Sequence, residues 1–289
     1  MEYRELGKTG IKIPVLGLGT WQYRGGVEPL RAGIALGACF IDTAESYGTE
    51  EIVGAAIQGI RKDVFLATKV SPRHFRYSDV VRSAEASLRR LRTDYIDLYQ
   101  LHWPNYTVPL QETMSAMEEL VDSGKIRFIG VSNFMVHDLI NAQKALTRHT
   151  FVSNQVRYNL TNRTIEHGLL SYCQEHGVTV IAHSPLASNL ASIRANDPEN
   201  VLGKLAQARS QTVARIALNW CLSKPGVVTI PRASSSEHVR ENCTASDFQL
   251  SVEELQLLNT KISFGRRGSF EIGLRRFVRH LLQAVGRNQ

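Results

Sequence analysis

Short runs of apolar, largely β-branched residues alternate with amphipathic stretches of helical period along almost the whole chain. The apolar runs are Val15–Trp21, Cys39–Ala44, Val64–Val70, Ile96–His102, Arg127–Asn133, Val152–Arg157, Val178–His183 and Val227–Pro231. Each is nearly continuous in Val, Ile, Leu and Phe, as parallel strands covered on both faces are. Between them, Glu50–Ile60, Asp79–Leu91, Gln111–Asp122, Val136–Leu146 and Ile165–Glu175 predict amphipathic helices. Along Gln111–Asp122, Met114, Met117, Leu120 and Val121 gather toward one face, with Glu118, Glu119 and Asp122 elsewhere. Gly124 and Gly177 stand just before the next strand, where a glycine can end a helix in the left-handed conformation.

Two features interrupt the alternation. Tyr3–Val15 reads as a β-hairpin turning near Thr9-Gly10, placed to plug one end of a barrel. Val201–Arg209 and Val213–Ser223 read as two consecutive helices before the last strand, so one is extra, and Val252–Lys261 adds another after it. Eight strand units suit a closed barrel better than an open sheet. The fold expected is therefore α/β: a (β/α)8 TIM barrel with an N-terminal β-hairpin and extra C-terminal helices, one domain over residues 1–289 with no low-complexity linker.

Composition narrows the setting. With 43% hydrophobic and 21% charged residues, the chain has the balance of a soluble globular protein. No apolar run approaches the roughly 20 residues of a membrane span. The start, Met1-Glu2-Tyr3-Arg4-Glu5, lacks the apolar core of a signal peptide, and a cytoplasmic location is expected. Cys39, Cys173, Cys221 and Cys243 lie far apart with no paired short spacing, which argues against a zinc site and a disulfide framework. The formal net charge of +7 mildly favours anionic ligands. Much of the excess is at the end of the chain, in Arg266, Arg267, Arg275, Arg276, Arg279 and Arg287, read as a solvated helix or tail. No nucleic-acid-binding module is recognisable.

In such a barrel the active site lies at the C-terminal ends of the strands. The second strand ends at Asp42, the third near Lys69 and the fourth at His102, with Tyr47 shortly after Asp42. Singly, each has a plain use: a helix cap, a snorkelling lysine, a core imidazole, a packing aromatic. Jointly they furnish carbonyl reduction. Hydride delivered to a C=O carbon leaves charge on oxygen, which must receive a proton. A free phenol titrates near 10, and a neighbouring ammonium favours phenolate. At about 4 Å and an effective dielectric near 20 the attraction is about 4 kcal/mol, an upper figure of roughly 3 pK units downward. Asp42 would orient Lys69, and His102 would hold the carbonyl oxygen.

These residues resemble the aldo-keto reductases. Asp42-Thr43-Ala44-Glu45-Ser46-Tyr47-Gly48, Thr68-Lys69 and Leu101-His102-Trp103 are similar to that family's Asp, Tyr, Lys and His tetrad in order and spacing. Gly17-Leu18-Gly19-Thr20-Trp21 resembles its first-strand motif, and Gly130-Val131-Ser132-Asn133-Phe134 its fifth-strand end; the likeness runs over roughly residues 3–262. It implies an extended NADP(H) across the barrel mouth. Gly19, Thr20, Trp21 and Asp42 would border the cofactor, and Ser132, Asn133 and Gln155 would bind the nicotinamide carboxamide. His183 stands where a tyrosine commonly stacks on the ring. Ser184, Pro185 and Leu186 would line the pyrophosphate, and Ile230, Pro231, Arg232, Ser234, His238, Glu241 and Asn242 the adenosine end. Arg232 replaces a frequent lysine, and Ala233 and His238 a frequent serine and arginine, with Ser234, Ser235 and Arg240 as compensating candidates. NADPH is the expected cofactor and NADH the alternative. No G-x-G-x-x-G loop indicates a Rossmann fold.

Trp21, Tyr23 and Trp103 near the rim suggest an apolar, aromatic-lined pocket, in which Trp21, Tyr47, His102 and Trp103 would face a small carbonyl substrate. Two other readings stand beside this one. A Schiff-base aldolase would need Lys69 neutral, against the adjacent Asp42. A cofactor-binding regulatory or sensor subunit would bind NADPH with negligible turnover. Oligomeric state is not legible.

Overall fold

The structure is a computed structural model that describes residues 1–265. The arginines from Arg266 onward, read above as a solvated helix or tail, lie outside the described residues. The chain opens with a hairpin: β1 (Tyr3–Glu5) pairs antiparallel with β2 (Lys12–Pro14), Tyr3 opposite Pro14 and Glu5 opposite Lys12. Eight parallel strands follow: β3 (Leu18–Gly19), β4 (Phe40–Asp42), β5 (Phe65–Val70), β6 (Ile96–Leu101), β7 (Ile126–Ser132), β8 (Phe151–Arg157), β9 (Thr179–His183) and β10 (Val227–Ile230). They lie side by side in sequence order.

The first expected strand, Val15–Trp21, forms only a two-residue ladder to β4, because its remaining backbone groups turn to the other neighbour. Gly17 N donates to Thr229 O at 2.8 Å, Thr229 N to Val15 O at 2.8 Å, and Gly19 N to Pro231 O at 3.1 Å. These bonds join the first strand to the last and close the barrel. The seam requires glycine: a Cβ on Gly19 would lie 2.5 Å from Ile230 O.

The helices wrap the outside: α1 (Glu28–Ala35), α2 (Glu50–Ile57), α3 (Tyr77–Leu91), α4 (Leu110–Asp122), α5 (Val136–Ala145) and α6 (Leu169–His176). A short α7 (Leu190–Arg194) then precedes the expected pair, α8 (Val201–Ala208) and α9 (Val213–Leu222). After β10 come α10 (Ser236–Cys243) and α11 (Val252–Lys261). The last starts at a capping box, with Glu254 N donating to Ser251 Oγ at 3.3 Å and Ser251 N to Glu254 Oε2 at 2.7 Å. No helix of the described residues is long and apolar enough to cross a membrane.

Strand residues alternate in direction, and here the alternation sorts the barrel interior into two levels. At the N-terminal ends of the strands Phe40, Phe65, Leu98, Ile181 and Val228 meet the hairpin's Leu6 and Ile13 in one dry cluster. The hairpin therefore stoppers that end, pinned by Gly7 N donating to Thr179 Oγ1 at 2.7 Å. Two residues further along β4, Asp42 follows Phe40; on β6, Gln100 follows Leu98; on β9, His183 follows Ile181; on β5, Lys69 follows Ala67. Apolar residues fill the base and polar ones the mouth.

Candidate active site

Asp42, Lys69, Tyr47 and His102 converge at the mouth. Lys69 is fully buried and Asp42 nearly so (0% and 2% exposed), and the Lys69 Nζ to Asp42 Oδ1 distance is 2.6 Å. The same ammonium donates to Thr43 O at 2.8 Å and to Tyr47 Oη at 3.3 Å. Tyr47 Oη in turn lies 3.4 Å from His102 Nε2, with the two rings edge to face.

Local structure holds this group. Tyr47 ends a single 3-10 turn, Glu45–Tyr47, stopped by Gly48 at φ +69°. Glu45 ties that turn to the exit of β5 by accepting from Ser71 N and lying 3.0 Å from His74 Nδ1. The hydroxyl of Thr49 is 2.9 Å from that of Thr43 and 3.0 Å from that of Thr20. Thr20 Oγ1 donates to Asp42 O at 3.0 Å. At the start of α2, the buried Glu50 accepts from Thr68 Oγ1 and from Arg90 Nε, each at 2.6 Å. The helix after Tyr47 is thereby bolted to the strand that carries Lys69.

The electrostatics correct one sequence expectation. Burial alone would discourage the Lys69 ammonium, but the carboxylate of Asp42 and the phenol of Tyr47 outweigh it and push its pKa up. Tyr47 was expected to titrate below an ordinary phenol because of Lys69. Its pKa is raised instead: burial acts most strongly, Asp42 adds to it, and the pull of Lys69 does not offset the two. Lys69 alone would lower it; the packed site adds desolvation and the opposing charge of Asp42. At neutral pH this phenol keeps its proton. His183 goes the other way, down to about 3, because burial disfavours its charged form and Lys69 and Arg157 repel it. Its imidazole is neutral at physiological pH.

Next to the tetrad, the ends of β7 and β8 bring Ser132, Asn133 and Gln155 together. Ser132 Oγ donates to Gln155 O at 2.9 Å, and Asn133 Nδ2 to Ser132 Oγ at 2.9 Å and His102 O at 3.2 Å. Asn133 has φ +62°, a left-handed conformation that asparagine tolerates better than most residues. His183 Nε2 is 3.4 Å from Asn133 Oδ1, and its Nδ1 is 3.2 Å from Ser184 Oγ. Ser184 O accepts from Asn159 Nδ2 at 2.9 Å, which fixes the start of the Ser184-Pro185-Leu186 segment.

The remaining named residues lie outside this cluster. Ile230 is buried against Gly19, and Pro231 belongs to the closing seam. Arg232 is exposed and donates to Gln22 O at 3.0 Å, while Ser234 Oγ accepts from Arg24 N at 3.4 Å. His238, Glu241 and Asn242 lie on α10, exposed, half-buried and buried respectively. Trp21 is 55% exposed beyond the end of β3, and Trp103 half-buried after His102. Among the described residues no group of three or more His, Cys, Asp or Glu is placed to hold a metal.

Sequence reasoning missed Gln100. Its Nε2 donates to Asp42 Oδ2 at 3.2 Å, beside Gln155 Nε2, which reaches the same oxygen at 2.7 Å. The available signal was a long amide inside a buried strand, where Val, Ile or Leu would be ordinary. It missed the carbonyl of Thr43 too, for which a sequence carries no signal.

Comparison with known proteins agrees with this geometry. Residues 15–263 match the model of the aldo/keto reductase family. The methylglyoxal reductase YeaE of Escherichia coli (strain K12) is 40% identical over 260 residues, covering 86% of this chain and 91% of the relative. The glyoxal reductase of Bacillus subtilis (strain 168) is 36% identical over 256 residues, covering 86% and 89%. Among solved structures, an aldo/keto reductase from Klebsiella pneumoniae in complex with NADP and acetate superimposes with a TM-score of 0.83 at 43% identity, covering 91% of this chain and 96% of that one.

Proposed function

Because this chain belongs to the aldo-keto reductase family, we propose that it reduces aldehydes and ketones to alcohols with NADPH, Tyr47 giving the proton. The supporting observation is the convergence of a protonated phenol, a buried ammonium at 3.3 Å and an imidazole at 3.4 Å around one oxygen. Ser132, Asn133 and Gln155 would hold a reduced nicotinamide at the mouth, and the chemistry it would supply there is hydride for the carbonyl carbon. His102 Nε2 and Tyr47 Oη together hold the carbonyl oxygen. Tyr47 donates its proton as charge develops there, and Lys69, fixed by Asp42, stabilises the phenolate left behind. The raised pKa of Tyr47 keeps the donor loaded before reaction; Lys69 limits what that loading costs in acidity.

The donor set fits such a cofactor. Neutral hydroxyl and amide groups of Ser132, Asn133 and Gln155 suit a carboxamide, which carries both donors and acceptors. The neutral imidazole of His183 is suited to stack on a pyridine ring. Arg232, exposed and donating from its guanidinium to Gln22 O, is the cationic group suited to a 2′-phosphate, which it would engage through two N–H groups. That favours NADPH over NADH.

An imine-forming role for Lys69 is disfavoured, because all three of its N–H groups are directed at acceptors: Asp42, Thr43 and Tyr47. The relatives that reduce methylglyoxal and glyoxal make small 2-oxoaldehydes the first substrates to assay. The test is steady-state oxidation of NADPH with methylglyoxal, glyoxal and a reactive aromatic aldehyde. Saturable turnover is expected. Tight NADPH binding without turnover of any would leave a regulatory or sensor subunit instead.

A further inference from the structure

Gln100 has no part in the tetrad, yet it occupies the position between the acid side of the site and the carboxamide-binding side. On β6 its side chain enters the barrel between Asp42 and Gln155. Asp42 Oδ2 accepts from Gln100 Nε2 at 3.2 Å and from Gln155 Nε2 at 2.7 Å. A carboxylate can only accept, so it dictates that both amides present their NH2 ends to it. The second N–H of Gln155 then points to Gln100 Oε1, 3.4 Å away. Gln100 thus donates to the carboxylate and accepts from the other amide. One hydrogen bond leaves the Gln155 amide free to turn about it; two fix its plane.

The neighbouring strand is built around this side chain. Gly130 on β7 is the register partner of Gln100, and a Cβ there would lie 2.8 Å from Gln100 Cγ and 2.8 Å from Ser153 Oγ. Any larger residue at 130 would displace Gln100. The requirement is steric, since Gly130 has no positive φ to explain it.

We infer that Gln100 is a positioning residue that fixes the Gln155 amide so that its carbonyl oxygen, and not its NH2, is presented to the cofactor's carboxamide. With both N–H groups of Gln155 committed inward, the end that remains for a ligand is an acceptor, and its match is the NH2 of a carboxamide. This inference rests on the assignment of Gln155 to the carboxamide made above. It does not require that the protein reduce a carbonyl.

A cofactor analogue separates the two. The 3-acetylpyridine analogue of NADP+ carries a methyl ketone in place of the carboxamide and so lacks the NH2. Dissociation constants for NADP+ and the analogue would be measured with the full chain by quenching of tryptophan fluorescence. One buried hydrogen bond of ordinary strength corresponds to a preference of about 10-fold for NADP+. Gln100→Met, which keeps the side-chain length, is expected to shrink that preference to about 2-fold, as is Gly130→Ala through displacement of Gln100, with Gln155→Met as the reference for complete loss. A purely structural role for Gln100 would weaken both ligands equally and leave the ratio unmoved. The inference is overturned if Gln100→Met and Gly130→Ala keep the wild-type ratio while Gln155→Met loses it, or if the wild type does not distinguish the two ligands. Should the ratio fall as expected in a protein that turns over no carbonyl, the inference stands and the reductase reading fails.

Discussion

Replacing Asp42 by asparagine tests the charge arrangement apart from any activity. Lys69 is fully buried, and its closest partner is Asp42 Oδ1 at 2.6 Å. Removing one member of a buried ion pair costs about 3–5 kcal/mol, because the other charge is left uncompensated. Thr43 O and Tyr47 Oη still accept from Lys69, so the lower end, about 3 kcal/mol, is expected at pH 7. At roughly 2–4 °C per kcal/mol for a chain of this size, melting should fall by about 6–12 °C. The pH dependence is more diagnostic. In the wild type the folded pKa of Lys69 lies above its ordinary value. Its contribution is therefore fully present below the unfolded pKa, about 10.4, and is lost only as pH rises through the higher folded value. In Asp42→Asn burial acts with no carboxylate to oppose it, and the folded pKa drops below the unfolded one. The unfolded chain then binds more protons, so the variant gains stability as pH climbs toward about 10.4, by at most about 1.4 kcal/mol per pH unit. The stability gap between wild type and variant, from urea unfolding at pH 7, 8, 9 and 10, should narrow toward the alkaline end of that range. A gap that stays constant or widens would refute the account of Lys69.

Other outcomes follow from the same geometry. Tyr47→Phe should leave the dissociation constant for NADPH within about 2-fold while lowering kcat by about 10²–10⁴, the usual worth of a general acid; a kcat near wild type in a stopped-flow or steady-state assay would remove Tyr47 from that role. Arg232→Ala should weaken NADPH about 10-fold and NADH far less, since a guanidinium bond to a phosphate contributes about 1.5–3 kcal/mol; equal losses measured by titration would place the 2′-phosphate elsewhere. Gly19→Ala should destabilise the barrel by about 2 kcal/mol or more in urea, because its Cβ would meet Ile230 O at 2.5 Å and push the closing strands apart. His183, already neutral, should add no step to a pH titration of NADP+ binding between pH 5 and 8 in a comparison of wild type with His183→Phe.

The strands were legible because a buried parallel strand has little choice of residue, and Thr179–His183 and Val227–Ile230 read as largely apolar, β-branched text. The tetrad was legible for the complementary reason: Asp42, Lys69 and His102 interrupt that text at the strand ends, where burying a charge needs a purpose. The hairpin could be anticipated as a plug, since it had an apolar face and no strand of the barrel to join. Three things resisted. The expected first strand shortened to Leu18–Gly19 because closure depends on which neighbour each backbone group faces, and spacing does not say. Gln100 passed as part of an apolar run, though with Gly130 it forms a matched pair visible only once register is known. The direction of the Tyr47 shift was missed because it is the sum of opposing effects, and desolvation is a property of the packed site.

Among the described residues, the stopper formed by Leu6 and Ile13 gives the barrel mouth a floor and leaves no second way in at the base. Traffic through such a vessel is last in, first out: whatever settles deepest against the Asp42 and Gln155 wall must wait for anything lodged above it to depart. Water that reaches the Tyr47 hydroxyl has to come down the same shaft, since oil-like side chains seal the other end.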